Sequence, residues 1–462
     1  MYYRLKPDYA LRGWLKNSWV LLKRPENFMK QLPQDTFQAL LLCDGETELT
    51  EGMLSGSLAE AIKECEENGL IEASAVPDPL DPDQYYRYYP NRYVDMVFWS
   101  ITGRCNYRCR HCFMDAPDGT LGELSTEEAL ALIDQMAECG VLRVDITGGE
   151  PFVRKDFWQL VDRIRSYKMV IGKIYTNGWL LNEQVIEGFR QRGMRPQISI
   201  SFDGAGWHDW MRGIPGAEEA ALRALRLCRD NGLVTDVEIC LHKGNLDSLA
   251  QTIKVLKEAG VAHLKVSNVA PTDLWKRNSD GNALTQQEYT EAMIRFIPEY
   301  YKMGKPMKIV LAGVIALYPD QSYKVVPEPY DGTESCLDCH MCGSTRWVCY
   351  ITPEGRLLPC MPMTASPDQE RFPLVQDIGL RKGLSDSYYM EFVNGRVRDL
   401  FAANAECAQC PYRLRCGGGC RANALLDGSQ ELMGCDRIMC MLWKEGYVER
   451  IRRAAEEAAA GV

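Results

Sequence analysis

Met96-Val-Phe-Trp-Ser-Ile-Thr102, followed by Cys105-Asn-Tyr-Arg-Cys109-Arg-His-Cys112, is the stretch on which the reading of the chain turns. The first segment is a short, mostly apolar run of the kind that a strand buried on both faces requires. Three thiols then crowd onto the loop that leaves it. Thiolates at this density can hold a metal, yet the loop offers no fourth cysteine. Two readings stay open on these residues alone: an iron-sulfur cluster with one iron left accessible, or a zinc site completed by His111 or a distant residue.

Working outward, the pattern of apolar run, loop and amphipathic helix occurs six times from about residue 95. Strands are expected over 97–102, 142–147, 170–176, 197–202, 234–241 and 263–267. Helices are expected over 126–139, 156–167, 183–192, 217–231, 246–259 and 285–303. Such alternation implies parallel strands with right-handed crossovers, so the fold class is α/β, a partial (β/α)6, TIM-like barrel over 95–304. Chemistry in such barrels sits on loops at the C-terminal ends of the strands. The cysteine loop follows the first strand, Gly148-Gly-Glu-Pro151 the second, Thr176-Asn-Gly178 the third and Ser201-Phe-Asp-Gly204 the fourth. All four converge on one rim.

Composition narrows the chemistry. A chain of 462 residues, 46% hydrophobic, can bury more than one core. Its formal net charge is -10 and it lacks blocks of like charge, which argues against a nucleic-acid partner. The N-terminus lacks a signal-like apolar region and no uncharged run approaches the roughly 18–20 residues that span a bilayer, so no membrane role is expected. A cytoplasmic location follows as the expectation, and there nineteen cysteines point to metal or iron-sulfur ligation more than to disulfides. Eleven of them fall between Cys336 and Cys440, marking a second metal-rich region. Cys43, Cys65, Cys139, Cys228 and Cys240 fall on expected helices or strands and are assigned to the core.

C-x-x-x-C-x-x-C after a first barrel strand, with a G-G-E-P turn after the second, resembles the radical S-adenosylmethionine (SAM) superfamily. The resemblance implies a [4Fe-4S] cluster on Cys105, Cys109 and Cys112 whose open iron chelates S-adenosylmethionine. It further implies that Gly148, Gly149 and Pro151 shape a turn close to the cofactor, and that Glu150 accepts from the methionine ammonium. Ser201 is then a contact to the ribose or carboxylate, Asp203 fixes its loop, and His111 lies against the adenine. No catalytic base is singled out among Asp115, Asp145, Asp203 and Glu238.

Residues 305–333, with Pro306, Pro319, Pro327 and Pro329, read as a bridge to a cysteine-rich segment over 334–462. There Cys336-x5-Cys342, Cys342-x12-Gly355-x4-Cys360 and Cys407-x2-Cys410-x5-Cys416-x3-Cys420 resemble the SPASM domain, which carries two auxiliary [4Fe-4S] clusters. Carried over, Cys336, Cys342, Cys360 and Cys420 hold the first cluster. Cys407, Cys410, Cys416 and a later cysteine, Cys440 in preference to Cys435, hold the second. The spare Cys339 competes with Cys336 or Cys342, and Cys349 packs in an expected strand over 347–351.

Residues 1–74 read as a small α/β unit. A hairpin joins 19–22 to a partner near Phe28 through Arg24-Pro-Glu-Asn27, and helices follow over 34–43 and 58–68. With Cys43-Asp-Gly-Glu-Thr and Glu67-Asn-Gly-Leu-Ile-Glu72, this order resembles the PqqD-like recognition domain, winged-helix-like in shape, that binds leader peptides by strand addition. A purely structural or protein-docking role stays open. Residues 75–94, rich in Pro, Asp and Tyr, read as a linker packed on a neighbour.

Together the segments imply a maturase of a ribosomally synthesised peptide that installs a crosslink, a thioether first. Carbon-carbon or carbon-oxygen crosslinking, epimerisation, a sulfatase-type formylglycine-generating maturase and an iron-sulfur sensor are the alternatives. The expected cofactors are S-adenosylmethionine and three [4Fe-4S] clusters. The expected partners are a precursor peptide and a flavodoxin or ferredoxin.

Overall fold

The computed structural model describes the chain except residues 25, 26, 51, 54, 55, 115–121, 427–430 and 462. It opens with β1 (Tyr2–Leu5), β2 (Tyr9–Leu15), β3 (Asn17–Lys23), β4 (Phe28–Gln31), α1 (Gln34–Leu42), β5 (Asp44–Glu48), α2 (Gly56–Glu67) and β6 (Ile71–Ser74), and β7 (Arg87–Arg92) follows. Two small sheets result, ordered β5-β1-β6 and β4-β3-β2-β7. Phe37 and Leu40 of α1 and Ile62 of α2 share a core with Leu5, Leu11 and Leu21, which is why this amphipathic pattern folds as one unit. The expected hairpin is the antiparallel β3–β4 pair, although residues 25 and 26 of its turn lie outside the described residues. β1, β2, β5 and β6 are strands beyond those expected from the sequence.

The stretch expected to link this unit to the barrel contributes β7, an edge strand parallel to β2. Pro90 falls at a register shift on that edge, where a missing N–H breaks no ladder bond. Tyr86 packs edge-on against Phe37 and Tyr89 stacks on Trp14. Trp14 is fully buried, and its Nε1 donates to the carbonyl of Cys139 at 3.1 Å, joined there by Asn91 Nδ2 at 3.0 Å. These bonds fasten the N-terminal unit to the barrel.

The barrel runs β8 (Met96–Ser100), α3 (Thr126–Glu138), β9 (Arg143–Thr147), α4 (Phe157–Ser166), β10 (Val170–Thr176), α5 (Glu183–Gln191), β11 (Gln197–Ser201), α6 (His208–Arg212), α7 (Ala217–Asp230), β12 (Thr235–Leu241), α8 (Leu249–Glu258), β13 (His263–Asn268), α9 (Asp273–Asn278) and α10 (Gln286–Lys302). β8 to β13 pair in chain order and all are parallel. Local signals set the helix starts: Ser125 with Glu128 and Thr285 with Glu288 form capping boxes that satisfy N–H groups at the first turns of α3 and α10. Along β12, Val237, Ile239 and Leu241 join the core under the helices, while Asp236, Glu238 and Cys240 alternate onto the barrel interior.

Residues 305–333, expected as a bridge, extend the sheet instead. β14 (Lys308–Leu311) pairs parallel with β13, and β15 (Ile315–Leu317) and β16 (Tyr323–Val325) continue antiparallel. On the opposite edge β17 (Val348–Ile351) pairs parallel with β8 and antiparallel with β18 (Leu357–Leu358), giving eleven strands. Cys349 is buried there, as expected of a packing thiol. Beyond β18 the chain becomes a series of short helices, including Ala405–Gln409, Arg413–Cys416, Arg421–Leu426 and Arg437–Lys444. The final helix, Tyr447–Ala460, is tied to α10 by Arg450 and Tyr447 on Glu291. Among the described residues no helix is long and apolar enough to cross a membrane.

Candidate active site

The cysteine loop is clamped between two neighbours. On one side the backbone N–H groups of Gly149 and Glu150 donate to the carbonyls of Thr102 and Arg104, both at 2.8 Å. On the other, the N–H groups of Arg108 and Arg110 donate to the carbonyls of Arg212 and Met211 at the end of α6. A Cβ on Gly149 would lie 2.2 Å from the Arg104 carbonyl, and one on Gly148, whose φ is +154°, 2.6 Å from that of Thr102. The glycines are therefore dictated by the approach of the cysteine loop itself.

Cys105, Cys109 and Cys112 are each partly exposed and none is in a disulfide. The Cys105 sulfur accepts from the Tyr107 N–H at 3.4 Å, and burial pushes this thiol up to about 12. Arg212 Nη1 donates to the Cys109 sulfur at 3.6 Å. Glu150 is fully buried and ties the second and third rim loops together: it accepts from Thr176 Oγ1 at 2.8 Å, the Asn177 N–H at 2.8 Å and the Phe152 N–H at 3.2 Å. Burial raises its pKa to about 7 against the pull of these donors. Pro151 opens the short turn Pro151–Val153 and is buried beside it.

Asp203 is also fully buried. Its Oδ1 accepts from the Cys240 N–H at 3.0 Å, and Arg212 Nε stands 2.6 Å from Oδ2. Burial alone would favour the neutral acid, but the Arg212 guanidinium holds Asp203 well below the usual carboxylate range. His208 Nδ1 accepts the Asp203 backbone N–H at 2.9 Å, so that nitrogen carries no proton. His111 sits in the same cluster with a buried Nδ1 that has no partner among the described residues, and burial reinforced by Arg212 pushes its pKa down to about 3. His111, Asp203 and Cys240 each offer a donor atom within 4.8 Å of the others. Cys240, expected in the core, is instead half-buried on the interior face of β12; Cys139 and Cys228 do pack in the core. Ser201 ends β11 in register with Glu238.

The interior carries paired charge. Arg143 holds Asp145 through two bonds of 2.8 and 3.0 Å, Lys173 and Ser199 meet Asp236, and Lys265 meets Glu238. Asp145 is nearly inaccessible, whereas Glu238 remains partly open to the interior. Asp115 lies outside the described residues. Arg212 and His208 were missed from the sequence, because an isolated charge on a short helix carries no motif.

In the cysteine-rich segment, Cys407, Cys410, Cys416, Cys435 and Cys440 line one cavity. The sulfurs of Cys407 and Cys435 are 3.6 Å apart, and Cys435, Cys440 and Glu406 place their donor atoms within 4.8 Å of one another. Cys435 and Cys440 thus both lie at this cavity. Burial, and then the nearby Cys420 and Cys342, pushes up the thiol of Cys360, burial with Cys342 nearby pushes up that of Cys420, and Cys336 and Cys339 are neighbours on the turn Glu334–Asp338 and its cap. Gly417, Gly418 and Gly419 all have positive φ, 63°, 89° and 75°, which explains the glycine run between Cys416 and Cys420. Clustered soft thiols without disulfides, beside an orphaned imidazole nitrogen at the rim, form a donor set suited to iron-sulfur ligation.

Residues 99–256 match the radical SAM superfamily, which implies S-adenosylmethionine and a [4Fe-4S] cluster. The AdoMet-dependent heme synthase of Methanosarcina barkeri is 28% identical over 346 residues, covering 71% of this chain and 91% of that protein. The PqqA peptide cyclase of Granulibacter bethesdensis is 28% identical over 337 residues, covering 72% of this chain and 84% of that protein. Among solved structures, Streptococcus suis SuiB bound to precursor peptide SuiA shares the fold with a TM-score of 0.65 at 14% identity, over 95% of this chain and all of that one.

Proposed function

We propose that this chain, which carries a radical SAM domain, is a maturase of a ribosomally synthesised peptide and installs a crosslink, a thioether in first place. The observation that carries this reading is the two-sheet N-terminal unit fastened to the barrel by Trp14 and Asn91. It is supported by a fold likeness that extends over 95% of the chain to a protein seen with its precursor peptide, and by the similarity to a peptide cyclase. An enzyme for a small molecule has no evident need of such a unit, whereas a leader peptide can add as a strand to a free sheet edge.

In this reading Cys105, Cys109 and Cys112 hold the cluster that, with S-adenosylmethionine, supplies a 5′-deoxyadenosyl radical. Gly148 to Pro151, Ser201 and His111 surround the cofactor, and Asp203 keeps its loop in place. Cys336, Cys342, Cys360 and Cys420 hold one auxiliary cluster, and Cys407, Cys410, Cys416 and Cys440 the other. The interleaving of Cys420 with the first group ties the segment together. Within the barrel, Glu238 and Lys265 present paired charge to a bound peptide.

The test is anaerobic co-expression with short peptides encoded beside the gene. A product two mass units lighter with one alkylation-resistant cysteine supports the thioether. The similarity to heme synthases favours a second reading, action on a tetrapyrrole. Formation of heme from an iron-porphyrin precursor, with no peptide modified, would replace the first reading with the second.

A further inference from the structure

A buried cation lies against the cysteine loop. Arg212, the last residue of α6, is 9% exposed, and its carbonyl accepts the Arg108 N–H while its Nη1 donates to the Cys109 sulfur at 3.6 Å. Asp203, fully buried, pairs with the same guanidinium, its Oδ2 2.6 Å from Nε. The residue is therefore fixed at its backbone and at its head group, with one N–H directed at a thiolate ligand of the proposed cluster.

Three physical facts give this arrangement a consequence. A guanidinium does not lose its proton in a protein. Charges out of contact with water are weakly screened. Iron-sulfur potentials depend on the charge around the cluster and on hydrogen bonds to the sulfurs. Reduction adds one negative charge, so a fixed cation donating to a ligand sulfur stabilises the reduced form more than the oxidised one.

We propose that Arg212 is a positioning residue that raises the reduction potential of the cluster on Cys105, Cys109 and Cys112 by its bond to Cys109, and that Asp203 limits the effect by partial neutralisation. This rests on the assignment of those three cysteines as ligands. It makes the two partners opposite in sign: loss of the cation lowers the potential, and loss of the carboxylate raises it.

The test is a potentiometric titration, followed by electron paramagnetic resonance, of the anaerobically reconstituted full chain without S-adenosylmethionine. The signal followed is the one that later shifts when S-adenosylmethionine is added. Arg212→Gln is expected to move the midpoint negative by at least the 59 mV that equals a tenfold change in a one-electron equilibrium. Arg212→Lys is expected to fall between parent and Gln variant, and Asp203→Asn to move positive. Iron content and circular dichroism identify variants that failed to fold or load, and the remaining variants then decide the sign. An unchanged midpoint in loaded Arg212→Gln, or a change confined to affinity for S-adenosylmethionine, overturns the proposal. Absence of any such signal in the parent, with iron bound elsewhere, overturns the ligand assignment and this inference with it.

Discussion

At the scale of single residues, the rim is built by backbones that approach closely, and its side chains act from behind them. Gly149 has space for a hydrogen and nothing larger, because the Arg104 carbonyl and the Cys105 Cβ face it at 2.2 and 3.0 Å from where a Cβ would stand. Gly149→Ala must displace the cysteine loop, at a cost of about 1–3 kcal/mol. The expected outcome is a folded protein that binds one cluster fewer, read by iron and sulfide analysis beside an unchanged far-ultraviolet circular dichroism spectrum. Thr176→Val tests the support of Glu150 separately. It removes the hydroxyl donor at 2.8 Å and leaves the buried carboxylate with two backbone N–H groups. A loss of about 1–3 kcal/mol in denaturant unfolding of the apo chain is expected. Gly149 and the cysteines were readable from spacing, but Arg212 was not: its meaning comes from 103 positions of separation to Cys109, closed only by folding.

Among the elements, what was readable follows from the kind of burial each strand experiences. β8 to β13 lie inside a parallel sheet, so their apolar runs and the amphipathic helices between them declare themselves in sequence. β14 to β16 and β17 are three or four residues long, and β14 and β17 owe their parallel pairing to partners far along the chain; residues 305–333 accordingly looked like a bridge. β7 is hidden by Pro90 and its tyrosines, which suit an edge strand: Tyr89 docks on Trp14, and Tyr86, just before the strand, on Phe37. The connection between the N-terminal unit and the barrel depends on Trp14. Its ring stacks on Tyr89, meets Tyr93 edge-on and bonds Cys139. Trp14→Ala should cost about 3–5 kcal/mol, concentrated at this junction. Limited proteolysis is expected to cut between residues 75 and 95 in the variant before it cuts in the parent, while iron content stays the same. Equal cleavage rates would mean that the junction is held elsewhere.

The whole molecule divides by what stabilises it. The barrel has a continuous apolar core that runs from β8 through the helices to β17 and β18. Outside β17, β18 and the apolar residues between 363 and 393 that join this core, the cysteine-rich segment is mostly short helices and turns, and its cavity at Cys407 to Cys440 is lined by five thiols. If its thiols hold clusters as proposed, such a segment gains much of its folding free energy from metal ligation, because the ligand geometry does not persist in the unfolded chain. Burial raises the thiols of Cys360, Cys416 and Cys420, so in the absence of metal they are held as neutral thiols and contribute no charge pairing in its place. Removing iron with a chelator under reducing, anaerobic conditions should therefore open this segment alone. Hydrogen exchange is the appropriate measurement, since it resolves local from global unfolding. Protection is expected to fall across 405–444 and on the turn at 334–338, while β9 to β13 exchange as slowly as before. If β9 to β13 lost protection to the same extent, the segment and the barrel would form one cooperative unit, and the cysteine-rich segment would be a load on the barrel's stability instead of an independently stapled domain.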